Sequence, residues 1–165
     1  MSTSENLAAA FAGESQASRK YLAFARQAEK DGLPQIAKLF RAAAEAETVH
    51  AISHLRVIGW PKKTVENLQA AMDGEQHEFT AMYPGFLDEA RKENATAAVA
   101  SFNLANEVEK VHYKLYSQAM DAAKSGKDLP AAAIFVCGIC GHTHAGDAPE
   151  FCPVCKAKGK YAEVK

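Results

Sequence analysis

Two short motifs in this chain place a carboxylate and an imidazole three residues apart, Glu47-x-x-His50 and Glu109-x-x-His112. On a helix, positions i and i+3 project from one face, so each pair can grip a cation. Single acids at Glu14 and Glu75, with Glu78 close by, are candidates for the same chemistry. A second cluster lies near the end of the chain. Cys137-Gly138-Ile139-Cys140 and Cys152-Pro153-Val154-Cys155 are two Cys-x-x-Cys knuckles separated by 11 residues. Four thiolates at such spacing make a tetrahedral metal site, iron or a structural zinc. The oxygen and imidazole donors suit iron, manganese or zinc.

The first set of ligands needs helices to position it, and the composition supplies them. Residues 1–126 are rich in Ala, Leu, Glu, Lys and Gln, which are good helix formers. Asp31-Gly32-Leu33-Pro34, Gly59-Trp60-Pro61 and the weaker Glu93-Asn94 mark the joints. Four helices follow, at roughly 4–30, 35–58, 64–92 and 95–124, and helices of that length with short connections pack as an antiparallel bundle. Tyr83-Pro84-Gly85 falls inside the third, where the spacing of Phe86 and Leu87 predicts a kinked but continuous helix. Residues 127–133 read as a linker. Residues 134–165 form a small Gly- and Pro-rich domain that needs a metal as its staple.

Each helix has an apolar stripe interrupted near its middle. The stripes run through Leu7, Glu14, Tyr21 and Phe24; Ile36, Leu39, Glu47, His50, His54 and Val57; Leu68, Met72, Glu75 and Phe79; and Phe102, Glu109, His112 and Tyr116. Burying one unpaired carboxylate costs several kcal/mol, so a group of them demands compensating positive charge. Those stripes carry no Lys or Arg, which leaves metal cations. One Glu from each of two helices with Glu-x-x-His from each of the other two is the ferritin-like dinuclear pattern. An internal repeat strengthens it. Ala43-x-Glu45-x-Glu47-x-Val49-His50 recurs 62 residues later as Ala105-x-Glu107-x-Glu109-x-Val111-His112, and Gly13-Glu14 recurs 61 residues later as Gly74-Glu75. Glu78 has Ala17 as its counterpart, so it breaks the symmetry and suggests ligation that can rearrange.

Other residues receive plainer readings. Glu45, Glu107 and His77 are expected on the solvated face, and His54 in the core or behind a ligand. His142 and His144 are expected exposed in the loop between the knuckles, with Phe135, Phe151 and Tyr161 as apolar cover. Tyr21 and Tyr83 are placed either to hydrogen-bond a ligating carboxylate or to pack.

Bulk properties exclude several classes. Lys and Arg number 19 against 20 Asp and Glu, which builds no broad positive field for nucleic acid or an anionic membrane. No apolar run reaches the length of a membrane span, and the first residues lack a secretory pattern. Tight cysteine pairs then read as metal ligands rather than disulfides, and a cytoplasmic protein is expected.

In the order and combination of Gly13-Glu14, Glu47-x-x-His50, Glu75-x-x-Glu78, Glu109-Lys110-x-His112 and the Cys-x-x-Cys-Gly…Cys-Pro-x-Cys tail, the sequence resembles the rubrerythrin family along its whole length. The resemblance implies an all-α, ferritin-like four-helix bundle followed by a rubredoxin-like four-cysteine domain. It implies a di-iron site of Glu14, Glu47, Glu75, Glu78, Glu109 and His112, with His50 and Glu78 exchanging at one iron. It also implies a third iron on Cys137, Cys140, Cys152 and Cys155. Two departures stand out: His142 replaces a frequent aromatic after Gly141, and the third helix begins sooner after Glu47 than in some relatives.

The implied activity is reduction of hydrogen peroxide to water, each iron of the pair supplying one electron. The thiolate-bound iron would relay electrons from an external donor, a rubredoxin or an NAD(P)H-linked reductase. The tail follows the fourth helix's end, so its iron is expected far from its own bundle centre, and the resemblance implies a head-to-tail homodimer that places one subunit's tail beside the partner's di-iron site. The competing functions are ferritin-like iron oxidation and storage, and a non-catalytic metal-binding protein with a structural zinc tail.

Overall fold

The computed structural model describes residues 2–165, so Met1 lies outside them. Five α-helices come first: α1 (Thr3–Lys30), α2 (Pro34–Ile58), α3 (Thr64–His77), α4 (Tyr83–Lys92) and α5 (Thr96–Lys124). A π-helical turn at Glu78–Met82 joins α3 to α4, so the five segments make four rods. Three short strands follow, β1 (Ile134–Cys137), β2 (Thr143–Ala145) and β3 (Tyr161–Glu163), in an antiparallel sheet of order β2-β1-β3. No helix among the described residues is long and apolar enough to cross a membrane.

Local chemistry sets the helix ends. The Ser2 hydroxyl accepts from the Glu5 N–H while the Glu5 carboxylate reaches back to the Ser2 N–H, capping α1 reciprocally. Pro34 opens α2, where its missing N–H costs nothing, and Gly59 closes it at φ 104°. Pro84 sits in the first turn of α4, so the helical path does not break there. The hydrogen bonding widens one turn earlier, with the Tyr83 N–H donating to the Glu78 carbonyl. A proline that cannot donate to the carbonyl four residues back is accommodated by such a π turn.

The chain forms two compact units, one running to Lys62 and the other from Lys63 to Lys165. Composition divides the chain near residue 126 instead. Contacts group the cysteine tail with α3–α5 because β2 packs on α5.

In the first unit α1 and α2 pack along a seam of small residues. Ala25 and Ala28 on one helix and Ala37, Ala44 and Ala51 on the other are buried, the last three at heptad spacing. Ser18 and Thr48 join the seam with a 3.0 Å hydroxyl–hydroxyl hydrogen bond. Larger residues of the expected stripe remain outside this seam. Leu39 and Val57 are 69% and 68% exposed, since two helices can cover only the face they turn to each other. In the second unit Leu87, Ala90, Val108 and Met120 form the buried core.

Candidate metal centres

The chain gathers its acids into two triads of the same composition. In the first unit, ligand atoms of Glu14, Glu47 and His50 lie within 4.8 Å of one another. In the second, those of Glu75, Glu109 and His112 do the same. Each triad takes one acid from one rod and a Glu-x-x-His pair from the other, as the repeat in the sequence requires. The imidazoles are oriented alike: His50 Nδ1 is 3.0 Å from Glu47 Oε2, and His112 Nδ1 is 2.7 Å from Glu109 Oε2.

The triads differ in their surroundings. The His50 side chain is 56% exposed, whereas that of His112 is 26% exposed and lies 3.8 Å from Glu75 Oε1. Burial is the main reason the Glu75 carboxyl is pushed up to about 7, followed by the charge of Glu109, a hydrogen bond to Glu109 and the charge of Glu78. Burial and Glu109 also raise Glu78. Crowded acids held up in this way want a cation, and two carboxylates with an imidazole nitrogen are a suitable donor set. The residues therefore fit iron.

Glu78 is not within the 4.8 Å grouping of the second triad. It opens the π turn one helical turn after Glu75, where the backbone is wider than an α-helix. Glu45, Glu107 and His77 are exposed, and His54 is half-buried. Tyr21 packs against Phe24 and Phe40, and Tyr83 against Phe86 and Phe102. Burial, then Glu78, Glu109 and Glu75 in that order, raise the Tyr83 phenol. Burial, Glu75 and Glu109 do the same to Tyr116. Both phenols stay protonated beside the acids.

The four cysteines are free thiols gathered at one point. Sγ of Cys137 is 3.7 Å from that of Cys155, and Sγ of Cys140 is 3.5 Å from that of Cys152. Thiolates about 2.3 Å from a central ion lie about 3.8 Å apart, so the cluster fits a tetrahedral metal. Burial opposes ionisation of Cys152, but the Cys155 N–H, the Tyr161 hydroxyl and the Val154 N–H pull it down to about 6. Burial pushes Cys140 up to about 12.

Two expectations about the tail need correction. His142 is buried, 5% exposed, and its Nδ1 is 2.7 Å from the Tyr161 hydroxyl. Strand pairing draws it inward, since its carbonyl accepts from the Cys137 N–H. Phe151 is 53% exposed rather than buried as cover, and the Lys158 ammonium sits over its ring.

A third expectation also needs correction: the tail does not stand far from its own helices, because β2 packs on α5 of the same chain. Thr143 Oγ1 on β2 lies 3.0 Å from His112 Nε2 on α5. A cavity of about 520 Å³ opens beside them, lined by His112, Tyr116, Leu68, Ile134 and Thr143 among others. Sequence reasoning gave no role to Thr143, or to Ser18 and Thr48, because hydroxyl residues at these spacings carry no motif.

Comparison with known proteins agrees with this chemistry. Residues 5–120 match the Rubrerythrin family model, and residues 135–161 match that of the rubrerythrin, rubredoxin-like domain. Rubrerythrin-2 of Clostridium acetobutylicum is 35% identical over 94% of this chain and 92% of that protein. Nigerythrin of Nitratidesulfovibrio vulgaris is 39% identical over 93% of this chain and 82% of its own. A solved structure of nigerythrin in a mixed-valence state superposes with TM-score 0.57 at 34% identity, covering 99% of this chain and 87% of that one. With two matched acid–histidine triads, a four-thiolate cluster and relatives that span nearly all of it, this chain belongs to the rubrerythrin family.

Proposed function

We propose that this protein is a non-haem di-iron peroxidase that reduces hydrogen peroxide to water in defence against oxidative stress. The observation that carries this reading is the pairing of two Glu-Glu-His triads with a thiolate cluster whose strand contacts one of the triad histidines. A storage protein needs the triads but has no use for an adjoining thiolate port. Two irons held by Glu14, Glu47, His50, Glu75, Glu78, Glu109 and His112 would supply the two electrons that cleave the O–O bond. The chain's own residues do the rest. The carboxylates balance the cationic charge, and exposed His50 and the acid at the π turn, Glu78, have room to exchange as that charge changes. Tyr83 and Tyr116 keep protons beside the acids, where reduction to two waters consumes two. Cys137, Cys140, Cys152 and Cys155 would hold a third iron that passes electrons singly from a reduced rubredoxin or an NAD(P)H-linked reductase. Four unbridged thiols suit a reducing cytoplasm.

The homodimer we propose follows from chain lengths. Glu47 lies 11 residues before the end of α2, and Glu75 lies 11 residues after the start of α3, each about 16 Å of helix. A ferritin-like bundle with its ligands at one height needs a long crossover between its halves, here about 33 Å. Six Cα steps from Ile58 to Thr64 reach at most about 22 Å. Two copies exchanging α1–α2 hairpins satisfy the requirement, so that one copy's first triad meets the other's second.

The test is peroxide consumption by the iron-loaded protein with a reduced donor. Turnover well above that of free iron supports the reading, and turnover equal to it overturns the reading.

A further inference from the structure

On α5, His112, Leu115, Tyr116 and Ala119 fall at i, i+3, i+4 and i+7, so they share one face. That face is one wall of the cavity of about 520 Å³, and Leu68 of α3 and Ile134 of β1 add to its lining. Every lining residue belongs to the second unit of the chain. Small residues keep the space open: Ala119 on the helix, Ala132 in the linker and Ala145 on β2 all border it where larger side chains would fill it.

The size and chemistry of this space do not match hydrogen peroxide. A water takes about 30 Å³ of liquid, and hydrogen peroxide is only two oxygens, so it would leave most of the cavity unused. The volume falls instead within the roughly 300–1,000 Å³ of pockets that hold small organic molecules. The lining is mainly aliphatic, and its polar side chains are few: His112 and Tyr116 one turn apart on α5, with Gln118 and Thr143. An aliphatic space favours an apolar chain, while a few polar groups fix the orientation of its head. His112 belongs to the second triad, so the polar head belongs at that end. An alkyl chain would then run toward Ala119, two turns further along α5.

We propose that this cavity binds the alkyl chain of an organic hydroperoxide, extending the substrates of the site from hydrogen peroxide to molecules of the form ROOH. The chemistry rests on the peroxidase reading, whereas the binding rests on the cavity alone. In the reaction the O–O bond breaks, the alkoxy oxygen leaves as the alcohol ROH, and the other oxygen leaves as water. Two protons and two electrons are consumed, the electrons coming from the same reduced donor that serves hydrogen peroxide. Tyr116 has an O–H that can donate a hydrogen bond to the departing alkoxy oxygen.

Straight-chain alcohols from butanol to octanol mimic ROOH without reacting, so calorimetric titration of the iron-loaded protein reads binding apart from turnover. Affinity should rise about fourfold with each added CH2 until the cavity is full. Ala119→Phe fills the far end of the cavity and should weaken octanol at least about 10-fold. The ratio of kcat/KM for octyl hydroperoxide to that for hydrogen peroxide should fall by a similar factor. Ala132→Phe, on the exposed linker, should act in the same direction and leaves the helix untouched. Octanol binding that both variants weaken supports the cavity as the binding site even if neither peroxide is turned over, a result that overturns the peroxidase reading alone. Absence of saturable octanol binding, as when a partner's segment fills the cavity, overturns the proposal. So does turnover of octyl hydroperoxide that neither variant alters relative to hydrogen peroxide.

Discussion

A carboxylate oxygen of Glu75 on α3 lies within 4.8 Å of one of Glu109 on α5, and both acids face His112 Nδ1, at 3.8 and 2.7 Å. Burial and this neighbour hold Glu75 up to about 7. Without a cation this crowding favours the protonated acid well above the ordinary carboxyl range, and a bound cation reverses that preference.

The raised Glu75 gives the metal-free protein a definite pH dependence. Between the ordinary carboxyl value of 4.5 and about 7, the folded state binds more protons than the unfolded chain. Its contribution to stability is therefore complete below that window and lost as pH rises through about 7. Thermal melts of metal-free protein should show Tm falling from pH 5 to pH 8. Glu75→Gln should flatten the slope, and saturating zinc or iron(II) should reverse it. A metal-free Tm that rises across this range would refute the assignment.

Exchange of hairpins between copies predicts complementation. One variant carries Glu47→Ala with His50→Ala, and the other carries Glu109→Ala with His112→Ala. Each alone should have at least about 100-fold less peroxidase activity, since losing even an outer-shell partner of a ligand costs about 10- to 100-fold. Unfolded together and refolded at equal amounts, they should recover roughly a quarter of wild-type activity, because each mixed dimer assembles one intact site. A bundle closed within each chain would recover nothing.

The Tyr161 hydroxyl bonds His142 and is one of the groups that favour the Cys152 thiolate within the tail. Hydrogen bonds to sulfur stabilise the more negative reduced state of a four-thiolate iron and raise its potential. Tyr161→Phe should therefore lower the midpoint potential and slow reduction by an external donor, with Tm little changed. Redox titration at the visible band of the ferric site measures this, and an unchanged potential would refute it.

The α1–α2 seam leaves no room for bulk at Ala44, which is 2% exposed. Ala44→Leu should cost about 1–3 kcal/mol by forcing the helices apart. It should also weaken metal binding at the neighbouring Glu47, which isothermal titration with zinc would detect. Ala46→Leu, on the exposed face of α2, serves as the control.

Local pattern made much of this protein legible in its residues alone. Helical period, glycine and proline joints and the 62-residue repeat located the rods, and the repeat identified which acid belongs with which Glu-x-x-His. These features were readable because helix formation and i, i+3 ligand geometry depend on near neighbours. Tertiary structure decided what distant residues do to one another. It turned the Pro84 kink into a π turn that starts at Glu78, buried His142 against Tyr161, left Phe151 outside and brought Thr143 to His112. No periodicity encodes these contacts. Each joins residues whose meeting depends on how a strand or a helix is turned when it packs, and a hydroxyl or imidazole in a loop looks the same in sequence whether it faces water or a ligand.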